Sequence, residues 1–340
     1  MVTVHGASIR ALAYPALTGK PRVGDRVLLN VTALEAGLGT GGYALVVAVP
    51  DRLPADPELS GHIVKSRYTP LQVMTGSADE QGSPYHDLLE TADSVDGMPV
   101  VVADLHSALP AILAGLRSSY RTEAGDSPTA AYVMTDGGAL PAWFSRTIAG
   151  LREADWLAAT VTTGQSFGGD LEAVTLHSGL LTARHAVGAD VAIVAQGPGN
   201  LGTGTRWGYS GVAAGEAVNA AAALGGRPVA SLRVSFADPR ARHQGISHHS
   251  LTAYGRVALA RADVVIPQLT GPDGARVAAD AAPLSERHTL VMVPVDGLEE
   301  PLRACPVGLS TMGRSLDEDM AYFLAAAAAG RHAASLLPGK

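Results

Sequence analysis

The sequence predicts an α/β protein: a mainly parallel sheet with flanking helices, preceded by a small N-terminal β-rich domain of barrel or sandwich kind. Three observations lead there. After Met98, short apolar runs alternate with polar or glycine loops and helix-length amphipathic segments, the rhythm of βαβ units. Before Met98, short strand-like runs are broken every few residues by proline and glycine. The 340 residues are 47% hydrophobic and 17% charged, which is apolar mass enough for one large core or two.

In the first part, strands are expected at 8–13, 26–32, 43–49, 62–68 and 71–75, with Pro15, Gly19, Pro21, Gly24, Pro50, Pro54 and Pro57 between them. Residues 1–98 are read as the β-rich domain. Its last segment, 76–97, is rich in Asp, Ser and Gly and reads as a linker or lid with one helical turn near 86–91. The glycine loop 37–42 is a second element able to close over a ligand. Residues 99–340 are read as the α/β domain, with strands at 100–103, 131–135, 159–163, 190–195, 228–234, 263–267 and 289–293. In an open parallel sheet the loops after the strands gather at one edge, and ligands bind there.

The most sharply punctuated of those loops follows the 190–195 strand. Gly197, Gly199, Gly202 and Gly204 let the backbone turn and approach a ligand closely, and the Ala-rich stretch from about residue 211 to 224 reads as a helix whose N-terminus is a ready anion site. With Thr203 and Thr205 these glycines are the expected anion-binding loop. Gly197, Gly199 and Gly202 also fit G-x-G-x-x-G, but no acidic residue stands about 20 positions later for a ribose. A nicotinamide dinucleotide is therefore disfavoured.

The run 237–250 is the most polar stretch of the apolar half: Asp238, Arg240, Arg242, His243, His248 and His249 fall within a dozen positions. Three histidines and a carboxylate could hold a divalent metal, whereas the arginines favour phosphate or carboxylate through paired hydrogen bonds. Arg240, Arg242 and His249 are accordingly read as ligand-binding. His243, His248 and Asp238 are read as acid–base groups, with Asp104 and Asp136 after two other strands. His106, Asp170 and Glu172 are further titratable residues at that edge, and Ser247 reads as the N-cap of a helix from 248 to about 261. Gly164, Ser166 and Gly168 match G-x-S-x-G, so a serine hydrolase built on Ser166 is the runner-up function. A non-catalytic ligand sensor or assembly protein is the rival class.

Composition narrows the partners. A formal charge of −7 gives no basic field for nucleic acid or anionic lipid. Cys305 is the single cysteine, which excludes an intrachain disulfide and a Cys-rich zinc site. The apolar run 320–329 is too short to span a bilayer, and no secretory signal is evident. The expectation is a cytoplasmic protein with a small anionic ligand, no nucleic-acid or membrane partner, and homo-oligomerisation left open.

The stretches GDRVLLNVTALEAGLGTGGYALVVA, VMTDGGALP, GGDLEAV, ARHAVGADVAIVAQGPGNLGTGT and SFADPRARHQGISHHSLTA together resemble an uncharacterised bacterial family, domain of unknown function 3866, over nearly the whole chain. That resemblance implies no activity, substrate or catalytic residue. The family pattern commonly has His and Ala where this chain has Gln165 and Ser166, which makes the serine elbow accidental. The functional expectation is hydrolysis or group transfer on a small phosphorylated or carboxylated substrate.

Overall fold

Pro99–Val102, here β1, reads Pro-Val-Val-Val and is buried along its whole length. A strand apolar on both faces belongs in the interior of a parallel sheet covered by helices on each side. β1 has that place in the computed structural model, which describes residues 1–39, 41–56, 61–120 and 127–338. The chain forms two compact units, Met1–Gly76 and Ser77–Lys340.

The larger unit is built on an eight-stranded sheet, every pair of which is parallel. After β1 come β2 (Ala130–Thr135), β3 (Ala159–Thr162), β4 (Leu171–Glu172), β5 (Val191–Gln196), β6 (Arg227–Ser231), β7 (Asp263–Gln268) and β8 (Thr289–Pro294). Their order across the sheet is β4-β3-β2-β5-β1-β6-β7-β8. The chain leaving β2 runs towards one edge, while the chain leaving β5 crosses β1 to reach β6. Such a reversal opens a crevice at the carboxyl ends of the strands.

Alternation along the strands assigns the two faces. Val101, Tyr132, Met134, Ile193, Val229 and Val265 meet one layer of helices: α1 (Leu109–Ser119), α2 (Arg146–Glu153) and, further along the chain, the 16-residue helix Met320–Ser335. Val100, Val102, Val133, Val194, Ala230 and Ile266 meet the other: α3 (Leu176–Leu181), α4 (Ala213–Ala223), α5 (His248–Thr252) and α6 (Gly271–Ala281). Each buried valine or isoleucine contributes roughly 1.5–3 kcal/mol relative to an exposed one. With α7 (Glu299–Arg303), the Met320–Ser335 helix is α8. α8 crosses α1 at a glycine on each side. A Cβ on Gly115 would run into the Ala327 carbonyl, and one on Gly330 into the Ile112 carbonyl, so the two backbones touch where no side chain intervenes.

Helix starts follow the local chemistry. Ser145 caps α2 by accepting from Ile148 N, and Thr175 and Ser178 form a reciprocal capping box on α3. The helix expected from about 211 to 224 is α4, preceded by a tighter turn at Ser210–Val212. The helix expected to reach about 261 is shorter: α5 gives way to a wider π turn, Ala253–Val257.

Of the segment 76–97, expected as linker or lid, residues 77–97 are part of the larger unit. Ala78 N donates to Glu172 O and Val95 N to Leu224 O, and Val95 is fully buried in the core. The expected helical turn there is His86–Leu89. The smaller unit is β-rich as anticipated. Its described strands form three small sheets: Val2–Val4 with Ala7–Ile9; Ala11–Leu12, Ala44–Ala48 and Leu28–Asn30; and Ile63–Lys65 with Val73–Thr75. Thr40, in the 37–42 glycine loop, lies outside the described residues. No helix among the described residues is long and apolar enough to cross a membrane.

Candidate functional site

Asp104 stands two residues beyond β1 and Arg233 two residues beyond β6, so neighbouring strands deliver both to the same edge. Past Arg233 a short hairpin pairs Val234–Ser235 with Gly245–Ile246, and its loop carries Asp238, Arg240, Arg242 and His243. The chain then enters α5 through Ser247, whose Oγ accepts from His249 N at 3.2 Å and meets His243 Nδ1 at 2.7 Å. One cap residue thus ties the loop histidine to the helix that carries His248 and His249.

The three imidazoles converge. Ring centroids are 4.4 Å apart for His248 and His249, 4.9 Å for His243 and His249, and 5.1 Å for His243 and His248. Tyr209 lies flat on the His249 ring at 3.8 Å, and its hydroxyl donates to His249 O at 2.7 Å. His249 Nδ1 is 3.6 Å from Asp104 Oδ2 and 3.4 Å from Arg233 Nη1. Two atoms here are buried with no hydrogen-bond partner, His248 Nε2 and Asp104 Oδ2. A third is Gln196 Oε1, whose amide nitrogen donates to Asp104 O at 2.9 Å. Buried polar atoms are rarely left so, and each asks for an explanation.

Arginine and aspartate form a second layer beside the histidines. Asp238 has no exposed surface. It accepts from Arg240 at 2.9 and 2.7 Å, with Arg233 and Arg314 at 3.4 and 3.6 Å. The bidentate Arg240 contact holds its carboxyl far below the usual range. Asp238 is thus a permanent counter-ion, too acidic to exchange protons near neutrality. Asp319 pairs with Arg314 at 2.9 Å and accepts from Ser235 Oγ. Loss of hydration, reinforced by Arg233 and Arg240, pushes His243 down to about 3. Loss of hydration, reinforced by His249 and Arg242, pushes His248 down to about 4. Both imidazoles are neutral at physiological pH, each offering one ring-nitrogen lone pair and one N–H donor.

The expected ligand residues separate into two groups. Arg240 is turned onto Asp238, while Arg242 is exposed and makes no ion pair among the described residues. Arg242 lies beside the glycine turn: a Cβ on Gly204, whose φ is +81°, would touch its guanidinium at 3.6 Å. Thr203 Oγ1 and Thr205 Oγ1 lie 3.1 Å apart, Thr205 accepts from Gly208 N, and Gly202 bridges to Tyr209, so this stretch folds back on itself at the mouth of the cluster. Gly197 is explained by its close approach to the Ala139 carbonyl, and Gly199 by a φ of +88°.

Other sequence-flagged residues are used elsewhere. Asp136 accepts from Gln165 N and fixes the turn after β3. His106 is buried between Tyr132 and Ser145 hydroxyls. Asp170 accepts from Thr160 N and Arg152, and Glu172 from Thr162 Oγ1 and Gly168 N. Ser166 has no exposed surface, and its hydroxyl is held at 2.7 Å from Thr163 O and 2.9 Å from Met134 O. A fluorophosphonate probe is expected to leave Ser166 unlabelled; stoichiometric labelling lost in Ser166→Ala would reverse this assignment. Arg233, Tyr209, Arg314 and Asp319 were not singled out from the sequence. Arg233 falls inside the apolar run 228–234, and a charged residue out of pattern there is the one signal the sequence offers.

Fold and edge site define a class: an α/β protein with a histidine-rich polar cluster at the carboxyl ends of its central parallel strands. The chain belongs to the family described as Protein of unknown function (DUF3866), whose model matches residues 10–330. No curated protein and no solved structure matches it.

Proposed function

We propose that this protein is an enzyme that performs hydrolysis or group transfer on a small phosphorylated or carboxylated substrate at the edge of β1, β5 and β6. One observation carries the reading: Arg242, with no ion pair among the described residues, lies against the Gly204 turn and close enough to the three clustered imidazoles to act on His248. A guanidinium with no carboxylate partner is a fork for phosphate or carboxylate oxygens. The glycine turn lets backbone come close to the same anion. Beneath it, neutral His243 and His248 present lone pairs, the chemistry of a base or a ligand. Convergence of titratable groups with displaced pKa values favours catalysis over plain ligand storage.

Titration of the full chain with inorganic phosphate and sulfate tests the anion site. Binding is expected, and Arg242→Ala should weaken it about tenfold or more, the worth of a charge-assisted hydrogen bond. Crystals soaked in either anion should show it between residues 197–205 and 238–249. Anion density elsewhere, with this mouth filled by apolar side chains, ends the reading.

A further inference from the structure

We infer that His243, His248 and His249 bind one first-row divalent metal ion of the zinc class, with Asp104 as the carboxylate that orients His249 and offsets the ion's charge. One ring nitrogen from each histidine lies within 4.8 Å of the other two. Nitrogens at that spacing sit on a circle of radius about 2.8 Å, so an ion at the centre needs each ligand to close by about 0.7 Å to reach a normal zinc–nitrogen bond.

Three independent features support the assignment. His248 Nε2 is buried and has no hydrogen-bond partner, which a metal bond explains and a merely structural histidine does not. His243 Nδ1 is held by Ser247 Oγ, leaving Nε2 as the nitrogen turned to the cluster, the arrangement in which one ring nitrogen is anchored so that the other can ligate. Asp104 Oδ2, also buried and without a hydrogen-bond partner, lies 3.6 Å from His249 Nδ1 and would accept from it once Arg233 Nη1, now 3.4 Å from the same nitrogen, gives way.

The arginines do not forbid an ion. Arg233 and Arg240 share Asp238, and Arg314 is paired with Asp319. With Asp104 these make three guanidiniums against three carboxylates, so the paired groups cancel. Only Arg242 is left over, at the mouth, where it would face the free coordination position. Imidazole ligation suits zinc, cobalt, nickel, copper and iron better than magnesium or calcium. The inference rests on the functional reading for the site's location, and it moves His243 and His248 from base to ligand.

The test is to strip the full chain with a chelator and titrate it with Zn²⁺ and with Co²⁺, following thermal shift and the visible absorption of bound cobalt. One ion per chain is expected. Binding should vanish in His243→Ala and His248→Ala, weaken tenfold to a hundredfold in Asp104→Asn, and persist in His177→Ala, an exposed histidine outside the cluster. X-ray absorption of the cobalt-loaded wild-type chain needs no variant to fold: scattering from three imidazoles supports the inference, and an all-oxygen shell overturns it. No saturable uptake of either ion, or equal uptake by the histidine variants, also overturns it. Phosphate binding that survives in a chain taking up no metal would sink this inference and leave the anion reading standing; metal uptake without phosphate binding would do the opposite.

Discussion

Asp238→Ala should cost about 3–5 kcal/mol of stability, the penalty for stranding buried charge. Asp238 is inaccessible, and Arg233 and Arg314, at 3% and 17% side-chain exposure, have little route to water. Arg240 is 37% exposed and can swing outward, so it contributes least to the loss. Removing the carboxylate therefore leaves at least one guanidinium facing two neutral imidazoles and Arg314. Urea unfolding of the variant, compared with Asp238→Leu combined with Arg233→Met, checks the cause. The double variant should recover much of the loss, because taking out both members of a buried pair is close to neutral. A single variant within about 1 kcal/mol of wild type would show that water reaches this cluster.

Gly330→Ala is the second large effect, expected at about 1–3 kcal/mol or more from overpacking. The added methyl would meet the Ile112 carbonyl, which is backbone in the middle of α1 and cannot rotate away. Helix propensity alone predicts the reverse, a gain of about 1 kcal/mol for replacing glycine inside a helix. The sign of the measured change in melting temperature separates the two: stabilisation would mean that α1 and α8 are further apart than described.

Seven sheet strands were legible because most are apolar on both faces and all are bounded by loop residues. Runs such as Val100, Val101 and Val102, or Ile193 and Val194, have no other stable place. Leu171–Glu172 was missed: two residues carry no periodicity, and Glu172 is in place because Thr162 and Gly168 donate to it. The 228–234 run was read as one strand, whereas the sheet releases it at Ser231 and Val234–Ser235 turns to pair with Gly245–Ile246. The polar run 237–250 was legible as a site, but the division of labour within it was not. That Arg240 serves Asp238 while Arg242 stands free depends on Arg233 and Arg314, and Arg314 is brought in from more than seventy positions away. The histidine cluster could be suspected from spacing alone; its closeness to Asp104 required β1 and β6 to be neighbours.

The placement of α8 bears on how a cell makes this protein. β1 and α1 leave the ribosome early, yet β1 pairs with β5 about 90 residues later, and α1 meets α8 about 220 residues later, so the enclosing contacts are among the most delayed a chain of this size can have. Until Met320–Ser335 is synthesised, the leucines and isoleucine of α1 have one side open to water. The nascent chain must therefore carry a sticky half-finished layer through most of its synthesis, which makes it a natural client for chaperones that shield apolar surface. Premature termination within α8 would yield a protein retained by such chaperones or degraded, even though every residue of the crevice had already been made.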